Sequence, residues 1–256
     1  MTVLHAQEVR LAYGGVVAID GVDLRVEPGT IHAVIGPNGA GKTSLLNVCS
    51  GVTRPDSGRI HVDGTDVTGR GPTNVSRAGM ARTFQNIQLF PYVSAMENVV
   101  VGASAKHDVD VISALLGLPR SRRMERAARE RAHDELEFVG LAARASDLAG
   151  SLPYGNQRLL EIARALATEP RVLLLDEPGA GFNSEEKHQL GTLIGQVRDR
   201  GVAVVIVEHD MDLVMAIAEQ ITVVNFGRQI AEGTPEQIQA NPVVIDAYLG
   251  APDDED

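Results

Sequence analysis

Ile31-His-Ala-Val-Ile-Gly36-Pro-Asn-Gly-Ala-Gly-Lys42-Thr43-Ser44 is a short apolar run that opens into a glycine-rich loop and leaves through a lysine and two hydroxyl residues. Residues 36–43 fit G-x-x-x-x-G-K-[ST], the pattern of a phosphate-binding loop, between a strand-like segment and a helix expected from Lys42 to Cys49. Glycine permits the backbone geometry that turns successive N–H groups inward on phosphate oxygens, and the helix adds its N-terminal dipole. Gly36, Pro37, Asn38, Gly39, Ala40, Gly41, Lys42, Thr43 and Ser44 are therefore candidate nucleotide-binding residues. Lys42 suits the β- and γ-phosphates, and the Thr43 hydroxyl suits Mg²⁺.

A second apolar run, Val172-Leu-Leu-Leu-Asp176-Glu177, supplies the complement. A strand buried on both faces would deliver Asp176 to its end as a Mg²⁺ ligand, and Glu177 would take a proton from, or orient, the attacking water. Asp176-Glu-Pro-Gly179 also satisfies the D-x-x-G of GTPases, but no Asn-Lys-x-Asp for guanine accompanies it.

Working outward, the first third reads as strands over Val3–Tyr13, Val16–Val26 and Arg59–Val67, punctuated by Gly-Gly, Pro-Gly and Asp-Gly turns. The middle reads as helix. Ser94-Ala-Met-Glu97 is a capping box, and Met124, Ala128, Ala132, Leu136 and Val139 repeat at helical spacing, as do the apolar residues of 156–167. Apolar strands return at Arg171–Asp176, Ala203–Glu208 and Ile221–Asn225, and Thr234-Pro-Glu-Gln237 caps a last short helix. The expected fold is α/β, a phosphate-loop NTPase core with a mainly parallel sheet. It carries an N-terminal antiparallel β subdomain and a helical insertion of about residues 88–165, within one domain of residues 1–250. Residues 251–256 read as a disordered acidic tail.

Composition narrows the function. With 34 acidic against 23 basic side chains and a net charge of −11, the chain would be repelled by nucleic acid unless it had a strong local basic patch. The single cysteine, Cys49, excludes an intrachain disulfide and a cysteine zinc site, and it reads as a small buried hydrophobe. No secretory signal and no apolar run of about 18 residues is found, so a cytoplasmic location is expected. The basic stretch Arg120–Arg126 could meet lipid headgroups or a permease, but reads first as a solvated helix face with pairs such as Glu125 and Arg129.

One motif is not explained by a single nucleotide grip. Leu152-Pro-Tyr-Gly-Asn-Gln157 precedes a helix ahead of Asp176, and it resembles the signature of ATP-binding-cassette ATPases, which contacts the nucleotide held by the opposite subunit. That resemblance implies roles for further residues, covering about residues 3 to 250. Tyr13 would stack on adenine, Gln85 would sense Mg²⁺ and water and face membrane subunits, and His209 would contact the γ-phosphate. Gly179-Ala-Gly-Phe-Asn183 would cross the dimer interface. Leu152, Pro153, Tyr154, Gly155, Asn156 and Gln157 would serve the other subunit's ATP, and Thr43, Gln85 and Asp176 would serve the metal. The Tyr-Gly-x-Gln form, Arg82-Thr-Phe-Gln and the ending Glu232-Gly-Thr-Pro-Glu-Gln-Ile…Ala247-Tyr-Leu-Gly250 are similar to the ATPases of branched-chain amino acid importers. The stretch from Lys106 to Arg123 is similar to an insertion in one of their two ATPase types.

The resemblance implies ATP and Mg²⁺ as cofactors, a second identical or paralogous ATPase, membrane permeases and an external solute-binding protein. It places the chain on the inner face of the membrane through those permeases. Exporter-type or lipid-extracting cassettes and urea or amide importers share the ATP motifs. A soluble cassette for DNA repair or translation would bring paired cassettes, zinc cysteines or a basic surface. Pro153, Tyr154 and Asn156 depart from the usual Leu-Ser-Gly-Gly-Gln, and Asn183 stands where Asp is commoner. Pro153 offers neither hydroxyl nor N–H, so the site this signature completes is expected to close weakly.

Overall fold

The structure, a computed structural model, describes residues 2–105 and 119–249, without the side chains of residues 119–121 and 249. Most of the Lys106–Arg123 stretch and the 251–256 tail lie outside the described residues. Two compact units emerge, one of residues 1–82 with 171–256 and one of residues 83–170.

The first unit opens with β1 (Leu4–Tyr13) and β2 (Val16–Val26), an antiparallel hairpin in which Tyr13 pairs with Val16. The short apolar β3 (Ile31–Ile35) is buried throughout and runs through the glycine loop into α1 (Lys42–Cys49). The strand expected over Arg59–Val67 is two strands, β4 (Ser57–Val62) and β5 (Thr65–Asp66). Asp63 and Gly64 both take positive φ, which is the two-residue hairpin turn that Asp-Gly favours, so the chain folds back where continuous β propensity suggested one strand. The order of this sheet is β2-β1-β4-β5. Then come α2 (Pro72–Arg77), with proline in its first turn, and β6 (Met80–Arg82).

The second unit is helical. In α3 (Ala95–Ser104) the Glu97 N–H donates to Ser94 Oγ at 3.1 Å and the Ser94 N–H to Glu97 Oε2 at 3.0 Å, the reciprocal cap that the sequence pattern calls for. In α4 (Pro119–Phe138) Ala128, Ala132 and Leu136 are buried, and Arg129 pairs with Glu125 at 3.4 Å on the exposed face. The helix expected from Asn156 starts earlier, as α5 (Tyr154–Leu166), with Pro153 as N-cap. These helices pack on one another through their apolar faces.

The chain then returns to the first unit with β7 (Val172–Asp176), α6 (Ser184–Asp199), β8 (Ala203–Val207) and α7 (Met211–Ile217). It ends in β9 (Gln220–Asn225), β10 (Arg228–Gly233), α8 (Pro235–Gln239) and α9 (Pro242–Leu249). The second sheet has the order β10-β9-β3-β8-β7-β6, parallel except for the β9–β10 hairpin. β3, β7 and β8 are buried at every residue, as strands covered on both faces must be. Leu45, Leu46 and Cys49 of α1 join Val34, Val205, Val207 and Val224 in the core, and burial pushes the Cys49 thiol up to about 12. Cys49 is thus packing, not chemistry.

A polar pair, His32 and Thr222, lies within this core. His32 on β3 is 2% exposed, hydrogen-bonds Thr222 on β9 at 2.8 Å, and burial lowers its pKa to about 4. The folded state holds it neutral, whereas an unfolded chain protonates it below its ordinary value. Its contribution is therefore full above pH 6.5 and is lost as pH falls from 6.5 to about 4. We expect acidification across that window to remove about 3 kcal/mol through His32. In His32→Val, urea midpoints measured against pH will show a correspondingly shallower decline; an unchanged decline would exclude His32 as the source.

Candidate nucleotide-binding site

The register of the central strands brings three loops to one edge of the sheet. Val207 on β8 pairs with Val34 on β3 and with Asp176 on β7. One or two residues past these positions the chain reaches Gly36, Glu177, and Glu208 with His209. All three exits lie at the carboxyl ends of parallel strands, where ligands bind in open α/β sheets.

The glycine loop is shaped by close backbone approaches. A Cβ on Gly36 would lie 1.9 Å from the Val224 carbonyl, and one on Gly41 would lie 2.3 Å from that of Ala18. Both glycines have positive φ, so no other residue fits at either place. Within the loop the Ala40 N–H donates to the Pro37 carbonyl at 3.2 Å. Asn38, Gly39 and Thr43 are exposed, and Ser44 is half-buried at the start of α1. Lys42 is buried, and its ammonium donates to the carbonyls of Gly36 at 2.6 Å and Pro37 at 2.9 Å. Burial lowers its pKa, while the carboxylates of Glu177 and Asp176 oppose that fall, so one field embraces the three side chains.

Asp176, at the end of β7, is held by an arginine. Its Oδ2 accepts from Arg82 at 2.8 Å, with side chains 5% and 2% exposed. The other arm of Arg82 reaches Asn47 Oδ1 on α1 at 2.8 Å and Oγ of Ser50, the C-cap of α1, at 2.9 Å. The guanidinium thus fixes the carboxylate against the helix that follows the loop and leaves Oδ1 for other partners. Motif reading missed Arg82 as a site residue; its signal was a charge ending the apolar run Met80-Ala81.

Glu177 continues the ladder, its N–H donating to the Val207 carbonyl at 2.9 Å, but its φ is +48°. A non-glycine residue held there costs about 1–3 kcal/mol, as at Glu8, Asp63, Glu169 and Phe226, which also take positive φ. His209 follows β8 with its side chain 65% exposed. Tyr13 ends β1 half-exposed, beside Val16 and Val17, which are also exposed. Asn183 is the N-cap of α6: its Oδ1 accepts the Glu186 N–H at 2.9 Å, so this Asn does the capping work of an Asp.

Gln85 and the 152–157 segment belong to the other unit and are described there. Gln85 is exposed, and Arg158 donates to its carbonyl and, at 2.8 Å, to that of Phe84. Arg158 also lies 3.0 Å from the Tyr154 hydroxyl, and Glu161 accepts from the Gln88 N–H at 2.7 Å. Two buried charges of α5 therefore pin residues 84–88 to the signature helix. Neither was singled out from sequence, because each looks like a surface charge on an amphipathic helix. Pro153 caps α5 without a side-chain hydrogen bond, while Gln157 Nε2 donates to the Leu152 carbonyl at 2.8 Å.

Comparison with known proteins agrees with this geometry. Residues 19–180 match a family model described as ABC transporter, and residues 228–254 match one described as Branched-chain amino acid ATP-binding cassette transporter. The branched-chain amino acid transport ATP-binding protein BraF of Pseudomonas aeruginosa is 44% identical, over 97% of this chain and 98% of its own length. LivG of Escherichia coli, described in the same words, is 41% identical over 96% of this chain and 97% of its own. The ADP conformation of MJ1267, an ATP-binding cassette of an ABC transporter, superposes with a TM-score of 0.85 at 30% identity, covering 98% of this chain and all of the other. Matched along its length in sequence and in fold, the chain belongs to the ABC transporter family, as one of its nucleotide-binding ATPase cassettes.

Proposed function

We propose that this chain is the ATP-hydrolysing subunit of an importer for branched-chain or related amino acids. The observation that carries the ATPase reading is the strand register that brings the glycine loop with Lys42 and the Asp176–Glu177 pair to one edge of the sheet. The import reading is supported by the match over residues 228–254 and by the BraF and LivG relatives.

Lys42 exchanges the Gly36 and Pro37 carbonyls for phosphate oxygens and meets the charge that develops on the γ-phosphoryl group. Glu177 accepts a proton from the water as its oxygen bonds to the γ-phosphorus and the bond to the leaving ADP oxygen breaks. His209 hydrogen-bonds the γ-phosphate, and Tyr13 stacks on the base. Thr43 Oγ1 and Asp176 Oδ1 are hard oxygen donors of the kind that would hold Mg²⁺, which would supply positive charge to offset that of the phosphates. For Gln85 and for Leu152 to Gln157 the roles rest on sequence resemblance. Two cassettes would sandwich ATP head to tail, each supplying its signature to the other, against membrane permeases served by an external binding protein. No helix among the described residues is long and apolar enough to cross a membrane, so attachment would be through those permeases.

Glu177→Gln is expected to keep ATP affinity within about two-fold while lowering turnover by at least about 100-fold. Equilibrium binding and phosphate release measure the two; unchanged release would remove Glu177 from the reaction. Pro153→Ser restores a hydroxyl and an N–H at the signature and is expected to strengthen ATP-driven dimerisation, read by sedimentation. No gain would show that the altered signature does not limit closure.

A further inference from the structure

His209 is flanked by two carboxylates, and both reach across to the segment that follows Glu177. Glu208 is 2% exposed, and its Oε1 accepts the Gly179 N–H at 2.7 Å. Its Oε2 accepts the N–H of His209 at 3.2 Å and lies 3.9 Å from His209 Nδ1. The Asp210 backbone also donates to this carboxylate, and burial still raises its pKa. The approach is close enough that a Cβ on Gly179 would lie 2.9 Å from Oε1. On the other side of the histidine, Asp210 caps α7 through the Leu213 N–H at 3.0 Å and forms an ion pair with Lys187 on α6.

A buried carboxylate is expensive to desolvate, and a hydrophobic residue would continue Ala203–Val207 more cheaply if the position served packing alone. Both oxygens of Glu208 instead hold backbone N–H groups from two loops of the candidate site. The His209 side chain is left exposed while its backbone is fixed.

We propose that Glu208, with Asp210 as its outer counterpart, is a positioning residue that fixes the His209 backbone to the Gly179–Lys187 segment, so that the imidazole is delivered to the γ-phosphate only when that segment is in place. This rests on the ATPase reading above. Glu208 touches no nucleotide in the proposal; it acts through His209 and Gly179.

The test is a steady-state and binding comparison of Glu208→Gln, Gly179→Ala, the double variant and Lys187→Met with the wild-type chain. Glu208→Gln and Gly179→Ala should each lower kcat by about ten-fold or more, with the ATP Kd held within about two-fold. Because both act on one contact, the double variant should be no slower than the slower single. Lys187→Met removes only the partner of Asp210 from a partly exposed pair, and should lower kcat by about three-fold with thermal stability nearly unchanged. A kcat within two-fold of wild type for Glu208→Gln, or losses that multiply in the double variant, overturns the proposal. If Glu208→Gln does not fold, an unchanged kcat in both Gly179→Ala and Lys187→Met overturns it equally. A wild-type chain without ATPase activity would instead sink the underlying reading.

Discussion

Everything at the site depends on how β8 is paired. Val207 faces Val34 on one neighbour and Asp176 on the other, and all three strands are parallel. A slip of one residue in either ladder would shift the strand ends against one another by about 3.3 Å. It would also draw Glu177 or His209 away from the glycine loop. The β-branched residues of Ala203-Val-Val-Ile-Val207 therefore do more than fill the core: they set the relative height of three chemical loops.

Around that register, polar contacts lock the loops that the strands deliver. Arg82 ties Asp176 to Asn47 and Ser50, joining the end of β7 to α1. On the opposite side, Gly227 donates to the Ala40 carbonyl and accepts from the Asp20 N–H, while Arg228 pairs with Asp20 at 2.7 Å. The β9–β10 turn is thus a wedge between the glycine loop and β2, which fixes the antiparallel hairpin bearing Tyr13 relative to the loop. In the other unit, Arg158 and Glu161 hold residues 84–88 on the signature helix by the same means, buried charges spent on backbone groups.

Much of this was legible in the sequence because its signals are local. The glycine loop, the apolar runs of β3, β7 and β8 and the capping boxes at Ser94 and Thr234 each depend on residues a few positions apart. What local pattern could not show is pairing at long range. Arg82 and Asp176 are 94 residues apart, and Arg158 and Phe84 are 74 apart. Glu208 reads from sequence only as the end of the strand Ala203–Glu208, because its partner Gly179 lies at another strand's exit. Backbone strain was equally hidden: nothing in Asp176-Glu-Pro announces that Glu177 takes a positive φ. Where the strand reading of 59–67 failed, the turn chemistry of Asp63-Gly64 overrode propensity.

The central claim is that these loops form half of an ATP site, completed by the signature of a second cassette. The most direct measurement is the rate of ATP hydrolysis per chain as a function of chain concentration. The account predicts that the rate per chain falls toward zero on dilution and rises as cassettes pair. A constant rate per chain, down to dilutions at which sedimentation shows only monomers, would contradict it.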